Sequence, residues 1–365
     1  MTIQPRPDIE ALHGYSPGRS QALVARETGR QHIIKLASNE SLWGPSERAR
    51  QAAEDMLAAV YRYPEVQPPE LLEALAERHG IDPRQIIVGN GADEILRLVA
   101  QAYVAPGQSV LYPQPGFSAY GFAATLVSGT GIPVPLTPDG RNDLTRTLDA
   151  IRPDTRLIYL CSPNNPTGGS ITQAEWEAFL HQLPDGVLVV VDGAYWEFLD
   201  QPDVPDILGA IQSGYPVLMA RTFSKLYALA GLRIGWAIST PDIIHTLQKV
   251  RDPFSLNLVG AAAAVGALGD SAYYEDVRHQ TLAARAHFMD QLARRHIVPF
   301  PSQANFVTFP VPEPAETVAQ KLEYQGFIVR PTTNFGLPGH IRVTMAPPAV
   351  LDQFWLAWDT IHPAT

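Results

Sequence analysis

Val187-Leu-Val-Val-Val191-Asp192-Gly-Ala-Tyr195 is a run of five aliphatic residues closed by a carboxylate. No polar residue alternates within it, so it reads as a strand buried on both faces, the kind found in a parallel sheet covered by helices. Working outward, similar runs recur at Gln85-Ile-Ile-Val88, Ser109-Val-Leu-Tyr112, Arg156-Leu-Ile-Tyr-Leu160, Pro216-Val-Leu-Met-Ala220 and Arg233-Ile-Gly-Trp-Ala-Ile238. Amphipathic stretches lie between them, among them Asp93 to Tyr103 and Gln173 to Gln182. The second opens on Thr172 with Glu175 three residues on, the pattern of a capping box. The alternation predicts an α/β fold with a mostly parallel central sheet flanked by helices. Beyond residue 270 the pattern changes to a long helical stretch, Asn305–Phe309, a helix near Glu316 to Gln325, Phe327–Arg330, Ile341–Thr344 and a last helix around Val350 to Ile361. That is the outline of a smaller α+β domain.

The 365 residues are 45% apolar, with 27 Lys plus Arg against 37 Asp plus Glu. Such a chain can bury a core, and its formal charge of -10 opposes nucleic acid or anionic lipid as a partner, leaving small molecules. The longest apolar run, Leu258 to Gly269, is too short to cross a bilayer, and the opening residues lack an apolar signal core. With the lone Cys161 unable to form an internal disulfide, a soluble cytoplasmic protein is expected. The ten histidines show no metal-ligand spacing, so no metal is expected.

Ligands of open α/β sheets sit beyond the carboxyl ends of the strands, so the residues closing each run come first. Gln85–Val88 leads into Gly89-Asn-Gly-Ala-Asp-Glu94, where free N–H groups ahead of a helix can cradle a phosphate. Glu94 occupies the third glycine position of a dinucleotide fingerprint and argues against that use. Arg156–Leu160 ends in Cys161-Ser-Pro-Asn-Asn-Pro-Thr-Gly-Gly169, which by itself is an Asx-rich turn. Burying Asp192 demands a cation or a protonated heteroatom opposite it. Arg221-Thr-Phe-Ser-Lys225, with Arg233 shortly after, then gathers positive charge and hydroxyls. Gly116-Phe-Ser-Ala-Tyr120 nearly spells a nucleophile elbow but lacks its second glycine, and reads instead as the wall of a cofactor site.

In this order the motifs resemble the fold type I enzymes that use pyridoxal 5'-phosphate, and within them the histidinol-phosphate aminotransferase family of class II aminotransferases. The resemblance runs through Lys35-Leu-Ala-Ser-Asn-Glu40, Tyr61-Arg-Tyr-Pro64, Gly91-Ala-Asp93, Ser162-Pro-Asn-Asn-Pro-Thr-Gly168, Asp192 with Tyr195, Ser224-Lys225 with Arg233, and Arg330 with Arg342. It implies a large cofactor-binding domain over 40–269, with 1–39 and 270–365 forming a small domain and an N-terminal arm. It also implies Lys225 as the Schiff-base lysine and Asp192 as partner of the protonated pyridine nitrogen. Asn165 and Tyr195 would donate to the phenolate oxygen, and Phe117 would stack on the ring where the family usually has tyrosine. The phosphate would be held by the backbone at Ala92 and Asp93 and by Thr222, Ser224 and Arg233, with Tyr63 reaching it from the neighbouring subunit of a homodimer with shared active sites. Arg342 resembles the arginine that forks a substrate carboxylate, and Arg330 and Tyr15 resemble residues at the other end of the substrate.

The activity so implied is amino transfer from histidinol phosphate to 2-oxoglutarate, in histidine biosynthesis. Where the family usually reads Asn-Glu-Asn-Pro-Leu-Gly-Pro, this chain has Asn39-Glu-Ser-Leu-Trp-Gly-Pro45, which sets Trp43 at a pocket edge as a candidate substrate contact and keeps an aromatic amino acid open as donor. A phospho-amino-acid decarboxylase of the same fold would share every cofactor residue. A regulatory module that binds without turnover would need an attached DNA-binding domain, for which the 365 residues leave no room.

Overall fold

The computed structural model describes residues 3–10, 12 and 18–363. Its strands are β1 (Ile34–Lys35), β2 (Ile86–Asn90), β3 (Ser109–Gln114), β4 (Thr130–Pro135), β5 (Thr155–Cys161), β6 (Leu188–Asp192), β7 (Val217–Thr222), β8 (Ile234–Ile238), β9 (Phe306–Pro310), β10 (Phe327–Ile328), β11 (Arg330–Pro331) and β12 (His340–Thr344). Seven of them form one sheet in the order β2-β8-β7-β6-β5-β3-β4. Only β8 runs against the rest, pairing antiparallel with both β2 and β7. Each run singled out in the sequence is a strand of this sheet. Every residue of β6, β7 and β8 is buried, as the absence of alternation requires. The edge strand β4, Thr130-Gly-Ile-Pro-Val-Pro135, carries no such signal. Its two prolines cannot donate to a ladder, and the sheet places it at an edge, where that costs least.

Two apolar layers cover the sheet. One contains Val189, Val191, Trp176, Phe223 and Trp236, the other Val190, Leu218, Ile95 and Leu247. A third cluster, around Phe288, Phe309, Phe354 and Trp358, packs the 24-residue helix Ser271–Arg294 and the helix Pro348–Ile361 on the three-stranded sheet β11-β12-β9. The helix Gln173–Leu180 starts with the expected capping box: Thr172 accepts from the Glu175 N–H, and the Glu175 carboxylate accepts from the Thr172 N–H at 2.9 Å. The run Leu258–Leu268 is a helix against Glu47–Met56, and among the described residues no helix is long and apolar enough to cross a membrane.

Because β8 runs backwards, its beginning lies at the same edge of the sheet as the ends of β2, β5, β6 and β7. Gly91 to Asp93, Asn165, Asp192, Lys225 and Arg233 therefore converge, although they span most of the sheet-forming sequence.

Candidate active site

The convergence encloses a cavity of about 320 Å³. At one end, Gly91 precedes the helix Ala92–Tyr103 with φ 76°, and a Cβ there would lie 2.5 Å from Arg233 Nη2. Across it, a Cβ on Gly235 would lie 2.4 Å from the Ala92 nitrogen. Both positions need glycine for the helix start to approach β8 this closely. Arg233 itself is left-handed, φ 54°, which turns its guanidinium back so that Nη1 donates to Ser224 Oγ at 3.3 Å and Nη2 sits 3.3 Å from Asp93 Oδ2. Thr222 Oγ1 donates to Ser224 Oγ at 2.9 Å. First-turn N–H groups, two hydroxyls and a guanidinium around one concavity form an anion site. Glu94, which breaks the dinucleotide pattern, accepts from the Asn90 N–H at 2.5 Å and from Ser255 Oγ at 3.1 Å, pinning the loop.

At the middle of the cavity Asp192 accepts from the Ala194 N–H at 3.0 Å and from the Tyr120 hydroxyl at 2.7 Å. It has no ion-pair partner among the described residues, and burial pushes its carboxyl up to about 6. Lys225 Nζ donates to the Ser38 carbonyl at 3.1 Å and lies 5.6 Å from the Tyr195 ring centroid. Burial, with Arg342 nearby, lowers its ammonium to about 8. Phe117 forms one wall, and Asn39 Nδ2 donates to the Tyr195 hydroxyl at 2.9 Å.

At the far end β11 and β12 pair so that Arg330 stands opposite Arg342. Both are buried and line the cavity, and both guanidinium groups lie over the Phe335 ring, at 5.3 and 5.2 Å. Arg342 donates to Asn165 Oδ1 and, at 2.8 Å, to the Ala37 carbonyl. A half-buried lysine, a buried carboxylate without an ion-pair partner among the described residues, an anion cup at one end and two arginines at the other suit a phosphorylated, ring-bearing aldehyde and an anionic substrate.

The family model that matches the chain is that of the class I and II aminotransferases, over residues 31–355. The chain belongs to this family. The aminotransferase is 37% identical over 360 residues to histidinol-phosphate aminotransferase 2 of Methylococcus capsulatus, covering 97% of each chain. It is 39% identical to histidinol-phosphate aminotransferase of Moorella thermoacetica, over 93% of this chain and 88% of the relative. Among solved structures it resembles histidinol-phosphate aminotransferase from Sinorhizobium meliloti in complex with pyridoxal 5'-phosphate. There the TM-score is 0.89 at 29% identity, over 99% and 98% of the two chains.

Of the residues singled out in the aminotransferase sequence, Ala92, Asp93, Phe117, Asn165, Asp192, Tyr195, Thr222, Ser224, Lys225, Arg233, Arg330 and Arg342 line the cavity. Two do not. Trp43 is turned away, its Nε1 donating to Gln280 at 2.7 Å while the indole packs between two apolar clusters, so the expectation of an indole at the pocket edge is corrected. Tyr63 is 80% exposed and stacks on Phe254 at 4.7 Å, outside the cavity of its own chain. Tyr15 lies outside the described residues. Sequence reading missed Tyr120 and Asn39 as site residues. A left-handed φ of 57° suits asparagine at position 39, and such a residue inside Ala37-Ser-Asn-Glu40 was the available signal.

Proposed function

We propose that this aminotransferase transfers the amino group of histidinol phosphate to 2-oxoglutarate with pyridoxal 5'-phosphate, giving imidazole acetol phosphate and glutamate. The observation that carries the reading is the pairing of Arg330 with Arg342 across β11 and β12, both buried in the cavity that holds Lys225. Two guanidinium groups suit a dianionic phosphate at the substrate's end, and the same pair can take the carboxylates of 2-oxoglutarate.

The buried Asp192, without an ion-pair partner among the described residues, and the glycine-lined cup at Gly91 and Gly235 fit the cofactor's ring nitrogen and phosphate. Pyridoxal phosphate supplies an aldehyde for the donor amine and a protonated ring that accepts the electrons left when the α-proton departs. Asp192 would keep that ring protonated, Asn165 and Tyr195 would donate to its phenolic oxygen, and Phe117 would stack against the ring. The backbone at Ala92 and Asp93, with Thr222, Ser224 and Arg233, would hold the phosphate. Lys225, poised near neutral pH, receives the proton at Nζ and returns it. Asn39 fixes the Tyr195 hydroxyl.

The test is the first half-reaction with histidinol phosphate, phenylalanine, tyrosine and glutamate in turn. Histidinol phosphate is expected to react fastest, and Arg330→Ala to weaken it at least a hundredfold and far more than glutamate, since removing one partner of a desolvated charged pair costs about 3 to 5 kcal/mol. Unchanged kinetics with histidinol phosphate in that variant, or release of carbon dioxide in place of a keto product, would overturn the proposal. Trp43, the residue that kept an aromatic donor open, hydrogen-bonds away from the cavity.

We further propose a homodimer in which Tyr63 of one copy completes the phosphate end of the other. Tyr61, Tyr63, Val60, Leu57 and Phe254 are exposed apolar or aromatic residues close together in this segment and its stacking neighbour, the composition of a surface that a second copy covers.

A further inference from the structure

Tyr120 is fully buried in the first turn of the helix Ala119–Leu126, and its hydroxyl donates to Asp192 Oδ2 at 2.7 Å. The ring cannot swing away. One face is stacked on Tyr159, centroids 5.0 Å apart and planes 22° apart, and Tyr159 is itself anchored by donation to the Leu96 carbonyl at 2.6 Å. Phe117, the wall of the cavity, meets Tyr120 edge to face at 5.8 Å and 88°. One tyrosine therefore touches both the carboxylate at the centre of the site and the aromatic wall beside it.

We propose that Tyr120 is a positioning residue for amino transfer: its hydroxyl holds Asp192 ionised and aimed into the cavity, and its ring ties that carboxylate to the wall formed by Phe117. This rests on the pyridoxal-phosphate reading above. The groups acting on Asp192 are few. Burial and the charge of Asp93 favour the protonated carboxyl; the Tyr120 hydroxyl, the Ala194 N–H and Lys225 favour the carboxylate. Cys161 and Tyr195 stand nearby as neutral groups, both held protonated by burial. Tyr120 and Ala194 are the two direct donors, so removing one hydroxyl makes the carboxylate a stronger base. A proton shared between Asp192 and a ring nitrogen then moves toward Asp192, and the ring loses the positive charge that makes it an electron sink.

Tyr120→Phe keeps the stacking and removes only the donor. Holoenzymes of the wild type, Tyr120→Phe and Asp192→Asn, loaded with pyridoxal phosphate carrying ¹⁵N in the ring, report ring protonation directly by NMR. The wild-type signal is expected at the protonated position. In Tyr120→Phe it should move toward the unprotonated position, in the direction of Asp192→Asn, and the half-reaction should slow about tenfold, the worth of one hydrogen bond to a charged group, with donor KM little changed. Replacing Tyr120 by 3-fluorotyrosine, a stronger donor of nearly the same shape, should hold the signal at the protonated position and keep the wild-type rate, which separates donation from packing. Bound cofactor with an unmoved ring-nitrogen signal in Tyr120→Phe would overturn this inference alone. A wild type that binds no pyridoxal phosphate on Lys225 would overturn it together with the reading it rests on.

Discussion

Lys225 owes its chemistry to where its amine is kept. Nζ stands inside the cavity beside Arg342, and the lowered ammonium, at about 8, makes much of it neutral at a pH where an exposed lysine is charged. Trace labelling of the apoenzyme with acetic anhydride should show Lys225 reacting with a midpoint near pH 8; a midpoint above pH 10 would remove the basis of its role. Asp192 shows the opposite sign. Its folded-state value is raised from 3.8 to about 6, so the stability it contributes is complete below 3.8 and is lost as pH rises through 6. From pH 4 to pH 7 the apoenzyme should lose roughly 2 kcal/mol relative to Asp192→Asn, read from urea unfolding of both proteins. Equal pH dependence in the two would contradict this. Lys225, Asp192 and Arg233 were legible in the sequence because each adjoins an apolar run, where α/β sheets present their chemistry. Tyr120 was read only as part of a wall, since the carboxylate it serves lies 72 residues further on. Trp43 was misplaced because spacing tells that an indole is near a turn but not to which side it leans.

At the scale of the element, the sheet is the part most legible in sequence. Buried parallel strands leave unbroken aliphatic runs, and the capping box marks a helix start in side chains alone. The edge strand β4 was not legible, because Gly131, Pro133 and Pro135 are turn residues by composition and only the pairing with β3 makes them a strand. Nor could the sequence give the reversed direction of β8, which fixes where Arg233 stands. The contact between β8 and the helix start at Ala92 has a direct test. Gly235→Ala would push a methyl into the Ala92 nitrogen, and two backbone segments must part to admit it. Overpacking of this kind costs about 1 to 3 kcal/mol. The variant should lose affinity for pyridoxal phosphate by tenfold or more in fluorescence titration, with a smaller loss for the phosphate-free aldehyde pyridoxal. Equal losses for the two would show that the contact does not shape the phosphate cup.

For the whole molecule, the exposed Tyr63 and Phe254 define the next experiment. Mixing Lys225→Ala with Tyr63→Ala, each inactive or nearly so, should restore one intact site per heterodimer and up to about a quarter of wild-type activity after random exchange. A fully active monomer in sedimentation would reject shared sites. A different consequence follows from the way the N-terminal segment is tied in. Thr344 accepts through Oγ1 from the Asn39 N–H, 305 residues away in sequence, and β1 pairs with β10 near the end of the chain. Synthesis proceeds at about 5 to 20 residues per second, so Ile34 to Asn39 leave the ribosome roughly 15 to 60 seconds before their partners exist. Throughout that interval the central sheet can form while the site lacks one side. Long-range contacts of this kind set the pace of folding, so the cavity closes last, and a nascent chain stalled ahead of Phe327 should hold a folded sheet with an N-terminal segment still open to proteases.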